Sequence, residues 1–347
     1  MGHCAPGQRK SRHNPLMKLR TAVVGVGHLG RQHARIHAHL AAEGLTEFIS
    51  VCDIAAETAR SVATERGVEL TTDWRNLLGR VDAVSLAVPT ESHCEIACEL
   101  LAAGIHVLVE KPISRTLEEA DRMIDAAARG GALLQVGHLE RFNPALAALR
   151  PHVRNPVYFE IHRVGQFTAR SLDIDVVLDL MIHDLDIVQW LVGENVEVID
   201  LHAVGIPILT DKVDAANARL EFASGAVANI TASRIGTEKI RKMRFFQPHD
   251  YIAIDYVTNH ASISNLAAPT SSGAWPGVNT RVLEVQTVEP LQAEITAFIE
   301  AARDGLASPV SGYDGRNALA LALRALERIH DHTARSGIRA LEAKFAK

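Results

Sequence analysis

An open parallel sheet flanked by helices, followed by a large and mostly antiparallel open sheet, is the α/β architecture this sequence predicts, and three observations predict it. Up to residue 137, short β-branched runs alternate with helical stretches that end in glycine, the pattern of parallel βαβ units. Where the first run turns into the first helix stands G-x-G-x-x-G, formed by Gly25, Gly27 and Gly30. From residue 138 the alternation gives way to successive strand-like runs with few helices between them. The expected organisation is a disordered lead over 1–16, a Rossmann domain over 17–137 and an α+β domain over 138–347.

Each element of the first half has its reason. In "LRTAVVGVGHLGRQHARI" the first glycine turns the chain tightly, the second lets backbone approach a pyrophosphate, and the third brings helix and strand together. The free N–H groups at His28, Leu29 and Gly30 would then receive the anion. A second run, "EFISVCD", ends at Asp53, 23 residues beyond Gly30, where a carboxylate can accept hydrogen bonds from ribose hydroxyls. Its charge would repel a 2′-phosphate and Ile54 supplies no cation, so NAD is expected rather than NADP. "DAVSLAVP", "HVLVEKP" and "ALLQVGH" read as further buried strands, with "SHCEIACELLAAG" and "TLEEADRMIDAAARGG" as the intervening helices. Ligands of such sheets sit at the carboxyl ends of the strands, where Lys111 and His138 fall.

Four histidines, His28, His33, His37 and His39, crowd the first helix. No glutamate completes H-E-x-x-H, so they are read as surface and capping residues, and no metal is expected. Cys4, Cys52, Cys94 and Cys98 are too sparse for a disulfide scaffold and lack C-x-x-C spacing.

In the second half, "PVYFEIHRVG", "VEVIDLHAVG", "AANARLEFASGAVANITASRI", "KIRKMRFFQ", "DYIAIDY" and "RVLEVQTV" read as strands, with a hairpin turn at Ser224–Gly225. Residues 259–280, rich in Gly, Ser, Pro and Asn, read as a long loop, and two helical stretches close the chain. The exception among the strands is a helix at about 178–192, "DLMIHDLDIVQW", apolar around most of its circumference yet carrying three aspartates and a histidine. Asp179, His183 and Asp186 form one stripe that ends at Trp190, while Asp184 lies round the wheel and is read as a structural pairing residue. Buried charge needs a partner or a use. A carboxylate one turn from an imidazole can orient it, and an ammonium from the other domain, Lys111, could stabilise an alkoxide formed beside them. Structural ion pairs in a core offer the plainer account of the same residues. Lys239, Arg241, Lys242 and Arg244 occupy both faces of one strand, which suits a diphosphate, a subunit contact or a solvated edge about equally.

Composition narrows the function classes. The chain has 347 residues, 47% hydrophobic and 22% charged, with a net charge of -5, which disfavours nucleic acid. No run approaches the roughly 18 apolar residues of a membrane span, and the basic N-terminus has no apolar stretch behind it, so no membrane or secretory route is expected and the chain is placed in the cytoplasm. The polar start is consistent with a disordered lead or with translation that begins at Met17.

At "EKP" (Glu110, Lys111, Pro112) joined to D-x-x-x-H (Asp179, His183), the sequence resembles the glucose-fructose oxidoreductase and inositol dehydrogenase family, Gfo/Idh/MocA, over residues 19–340. That resemblance implies NAD-dependent oxidation of a sugar or polyol hydroxyl. It casts Lys111 as the group polarising the hydroxyl, His183 as general acid/base, and Asp179 as a substrate ligand or a support for His183. Glu110, Thr90 and His93 would lie near the nicotinamide, and Pro112 would follow a special peptide geometry. "GHLERFNPA" and "ASRIGTEKIRKMRFFQPHDYIAIDY" are similar to members acting on nucleotide-sugars, the UDP-N-acetylglucosamine 3-dehydrogenases, which would put Arg141 and Asn143 at the substrate mouth. Other sugar or inositol dehydrogenases, glycosidases that recycle NAD, and non-catalytic binders share the fold and stay open. The second sheet lacks helices for both faces, so a homodimer or homotetramer packed sheet on sheet is expected.

Overall fold

The computed structural model describes residues 18–166, 174–267 and 276–336. Six parallel strands form the first sheet: β1 (Leu19–Val24), β2 (Thr46–Cys52), β3 (Glu69–Thr71), β4 (Ala83–Leu86), β5 (His106–Glu110) and β6 (Leu134–Gly137). Their order, β3-β2-β1-β4-β5-β6, reverses direction of growth between β1 and β4, which opens a crevice at the carboxyl ends. Helices α1 (His28–Ala42), α2 (Ala56–Arg66), α3 (His93–Ala102) and α4 (Leu117–Gly130) make the crossovers. Because both faces are covered, β4 is buried at every position and reads as a continuous apolar run rather than an alternating one.

The second sheet has eight strands: β7 (Tyr158–Gln166), β8 (Val198–Ile206), β9 (Ala215–Phe222), β10 (Val227–Gly236), β11 (Ile240–Gln247), β12 (Asp250–Asp255), β13 (His260–Leu266) and β14 (Val278–Val282). The order is β14-β13-β12-β11-β7-β10-β9-β8, antiparallel throughout except where β7 lies parallel to β10. Burial alternates along each strand: in β9, Ala216, Ala218, Leu220 and Phe222 face the core while Asn217, Arg219 and Glu221 face outward. The inner face packs on α5 (Pro144–Leu149), α6 (Ile182–Val192) and the last helix, α8 (Gly312–Ser336).

Three expectations are corrected. The stretch 259–280 is not a single loop: His260–Leu266 is a strand whose Ala261 and Ile263 are buried beside Ile254 and Ile252, and residues 268–275 lie outside the described residues. "RVLEVQTV" contributes to β14 only its first two residues, Arg281 and Val282, after which the chain runs without regular structure to α7 (Pro290–Asp304). The helix at 178–192 is not uniform either, because Val177–Met181 form a π-turn ahead of α6. The expected lead over 1–16 also lies outside the described residues.

The two closing helices return to the first sheet. Leu291, Ile295 and Phe298 of α7 share a cluster with Ile36 and Leu40 of α1 and Leu108 of β5. At the start of α8 the chain runs beside β6: Val136 N–H donates to Val310 O at 3.0 Å, and Gln135 bridges Ser311 in antiparallel fashion. The approach is close enough that a Cβ on Gly315 would stand 2.6 Å from Val136. Further along, α8 packs against α6 and β8 of the second sheet. Among the described residues, no helix is long and apolar enough to cross a membrane.

Candidate active site

At the mouth of the first sheet the three glycines divide their work as their spacing predicts. Gly25 has φ +80°, and a Cβ there would fall 2.6 Å from Ala87 O. A Cβ on Gly30 would lie 1.7 Å from Gly25 O, so only glycine lets α1 rest on this turn. Gly27, the N-cap of α1, has no atom within 4 Å of where its Cβ would be, which leaves room for a phosphate in front of the helix. The first helical bond runs from Arg31 N to Gly27 O, so the N–H groups of His28, Leu29 and Gly30 lie outside the ladder. Asp53 sits at the end of β2, with Oδ2 accepting from Val26 N and Oδ1 from Ala55 N, both at 2.9 Å. These residues fit a dinucleotide: a pyrophosphate cradle, then a fixed carboxylate one strand away.

His33 and His37 are not the surface residues expected. Both are fully buried. His37 Nε2 bonds Ser85 Oγ at 2.8 Å, and burial pushes its pKa down to about 3, so the ring is neutral. His33 Nε2 meets Glu110 Oε1 at 2.9 Å. Burial alone would raise the Glu110 pKa, but the His33 bond and the Lys111 charge hold it below the usual value. Glu110 Oε2 also accepts from Lys111 N at 3.3 Å, and a Cβ at Gly137 would come within 3.1 Å of the same oxygen. Glu294 on α7 is fully buried near this pair with neither carboxylate oxygen hydrogen-bonded to a described residue; burial and the Glu110 charge push its pKa well up, so it is a neutral acid. His93 braces the opposite side, Nε2 lying 3.0 Å from Val88 O and Nδ1 3.1 Å from Pro112 O, while Thr90 opens the turn before it. Burial keeps the His93 pKa below its ordinary value. The Lys111–Pro112 peptide is cis.

Lys111 reaches from the end of β5 to the second domain. Its Nζ donates to Asp179 O at 2.7 Å and to Asp179 Oδ1 at 3.3 Å. The π-turn explains why a backbone oxygen is on offer, since its wider register releases carbonyls from the α-helical pattern. It also turns Asp179 out of phase with His183, and no hydrogen bond joins the two; Asp179 serves the ammonium instead. His183 lies edge-on to His138, ring centroids 6.4 Å apart, and its buried Nδ1 has no hydrogen-bond partner among the described residues. Burial first, then the charges of Lys111, Arg163, His138 and Arg241, hold its pKa well below the ordinary 6.5. An ammonium on the first sheet and a neutral imidazole on α6 therefore lie near enough for the charge of one to act on the other.

Residues 19–138 match the oxidoreductase family with an NAD-binding Rossmann fold, and residues 147–246 match the Gfo/Idh/MocA C-terminal domain. A UDP-N-acetylglucosamine 3-dehydrogenase of Acidithiobacillus ferrooxidans is 39% identical over 310 residues, which cover 89% of this chain and 96% of the relative. The chain belongs to the Gfo/Idh/MocA oxidoreductase family. A solved structure of that Acidithiobacillus enzyme superposes with a TM-score of 0.84 at 37% identity, covering 91% of this chain and 99% of the other. Among further family members, the myo-inositol 2-dehydrogenase of Thermotoga maritima is 27% identical over 90% of this chain and 97% of its own length. Levoglucosan dehydrogenase in complex with NADH and levoglucosan shares the fold, with TM-score 0.79 at 20% identity and coverage of 91% and 98%. As a Gfo/Idh/MocA member the chain is an NAD-dependent oxidoreductase acting on a CH–OH group.

The other residues singled out in the sequence are held within the family fold. Arg141, in the 3₁₀ turn Leu139–Phe142, is buried and grips Asp186 through Nε at 2.8 Å and Nη2 at 2.7 Å, and Asp314 of α8 at 3.1 Å. Asn143 caps α5, its Oδ1 accepting from Ala145 N at 3.0 Å. Asp184 has the structural partner expected: Arg163 Nε at 2.7 Å and Nη2 at 2.8 Å, with Arg163 Nη1 also donating to Glu140 at 2.7 Å. Sequence reasoning missed Arg163, Glu140 and Glu294. Arg163 had a signal, because it shares its strand parity with Phe159 and Ile161 and so had to face inward.

Proposed function

We propose that this chain works in the cytoplasm as an NAD-dependent dehydrogenase that oxidises the 3-hydroxyl of UDP-N-acetylglucosamine, or of a closely related nucleotide-sugar, to the keto sugar. The convergence of Lys111 Nζ with the His183 imidazole, whose Nδ1 has no hydrogen-bond partner among the described residues, carries the reading. NAD, held by the glycine turn and Asp53, would supply the hydride-accepting chemistry for the carbinol carbon. The neutral His183 takes the hydroxyl proton. Lys111, held by Asp179, keeps a positive charge where negative charge develops on the oxygen. Glu110 and His93 fix the backbone on which Lys111 stands, and Asp53 and the glycine turn fix the cofactor.

Purified protein with NAD and UDP-N-acetylglucosamine should produce NADH, followed by absorbance. The logarithm of kcat/KM against pH should stay flat through 6.5, the ordinary imidazole value, and fall only in more acid solution, because the base is lost when His183 gains a proton and its pKa is depressed. Turnover of inositols but of no nucleotide-sugar would defeat the substrate assignment. An acid limb centred at 6.5 would show that burial and the neighbouring charges do not depress the His183 imidazole.

We also propose a homodimer or homotetramer packed through the outer face of the second sheet. Support comes from Val204, Ile206, Phe246, Leu266, Val278 and Val282, apolar residues exposed on that face. Light scattering should give at least twice the monomer mass, and a monomer at micromolar concentration overturns this arrangement.

A further inference from the structure

The strand β11 carries Arg241, Lys242 and Arg244, and they face opposite ways. Lys242 and Arg244 point outward, where each has its own carboxylate: Lys242 Nζ lies 3.5 Å from Asp255, and Arg244 is bonded to Glu160. Arg241 shares its parity with the buried Met243 and Phe245, pairs in register with Arg163, and so projects to the inner face beside the crevice. Its charge is felt by His183, and it in turn feels the charge of Asp179. Yet its side chain makes no hydrogen bond to a described residue. The nearest carboxylate oxygen is Glu140 Oε1 at 3.6 Å, and that same oxygen already accepts from Arg163 at 2.7 Å.

Arg163 and Arg141 by contrast each hold two carboxylates at hydrogen-bonding distance, and Lys111 has Asp179. Arg241 is thus the crevice cation whose planar fork of donors is left without a geometric match, on a side chain that is 37% exposed. Burial and the neighbouring Arg163 both work against its charge, a penalty that an incoming anion would relieve. A sugar hydroxyl gives a guanidinium little to do, whereas two adjacent phosphates offer the bidentate oxygens it is shaped for.

We propose that Arg241 is a substrate-binding residue that receives the diphosphate of a nucleoside-diphosphate sugar and thereby selects charged sugars over neutral polyols. The assignment rests on the nucleotide-sugar reading given above and names the group that would enforce it. Lys111 and His183 act on the alcohol; Arg241 anchors the far end of the same molecule.

Calorimetric titration of UDP into the NAD-loaded protein tests this, alongside steady-state kinetics with UDP-N-acetylglucosamine. Arg241→Gln should weaken UDP binding and raise KM by about 10- to 100-fold, with kcat within about threefold and NAD affinity unchanged. Arg241→Lys should recover part of the loss, since it restores charge without the fork. Wild-type affinity for UDP in Arg241→Gln, or no UDP binding by the wild type, overturns the proposal. Oxidation of the nucleotide-sugar with KM unmoved by Arg241→Gln would sink Arg241 alone. Arg241-dependent UDP binding without oxidation of any nucleotide-sugar would uphold Arg241 and sink the substrate assignment.

Discussion

Lys111→Met should lower kcat/KM for the reacting alcohol by about 100- to 1000-fold while leaving NAD affinity within a factor of about two. Methionine keeps much of the stem and removes only the ammonium, so the loss isolates the charge beside the reacting oxygen. The structural cost should be small: side-chain exposures of 17% for Lys111 and 26% for Asp179 let water replace what the carboxylate loses. The Lys111 backbone contact with Glu110 is untouched. Steady-state kinetics and NADH fluorescence titration make the comparison. A variant retaining more than a tenth of the activity would mean that the ammonium does not touch the transition state.

The second large effect concerns stability. Arg163→Met should destabilise the folded protein by about 3–5 kcal/mol, measured by chemical denaturation, because it strands the buried Asp184 and leaves Glu140 only Arg241 at 3.6 Å. Arg163 is 2% exposed and Asp184 1%, so no solvent reaches the pair to compensate. Burial by itself would depress the guanidinium pKa, and the two carboxylates, Asp184 ahead of Glu140, raise it instead. Removing the partner together, in Arg163→Met with Asp184→Leu, should recover much of the loss, since an apolar pair of similar volume suits the site. A single variant as stable as the wild type would show that the two carboxylates are protonated or solvated in the folded state.

How much of this was legible follows from the range of each contact. The glycine turn and Asp53 are written locally, because each is fixed by neighbours a few residues away or by the adjacent strand. Lys111 and His183 could be named because their chemistry is unusual for their surroundings. His33 and His37 could not be placed, since the groups that receive them come from other strands of the sheet, Glu110 of β5 77 residues on and Ser85 of β4 48 residues on. β13 was hidden by its composition: "HASISNL" offers only Ala261 and Ile263 to the hydrophobic core, and Ser262, Ser264 and Asn265 around them resemble a loop. The π-turn escaped for a different reason. A wheel drawn at 3.6 residues per turn assigns Asp179 to His183, and only the wider register shows that its partner comes from across the crevice. Likewise the parity of Arg241 was readable from Met243 and Phe245, but the fact that Arg163 had already claimed Glu140 was not.

The return of α8 to β6 bears on how an alcohol is chosen. One continuous helix is mortared to the edge of the first sheet at its start and to the second sheet farther along, so swinging the lobes apart would shear it from one or the other. The gap between them is therefore a seam rather than a jaw. Selection of the alcohol would then rest on side chains already standing in place.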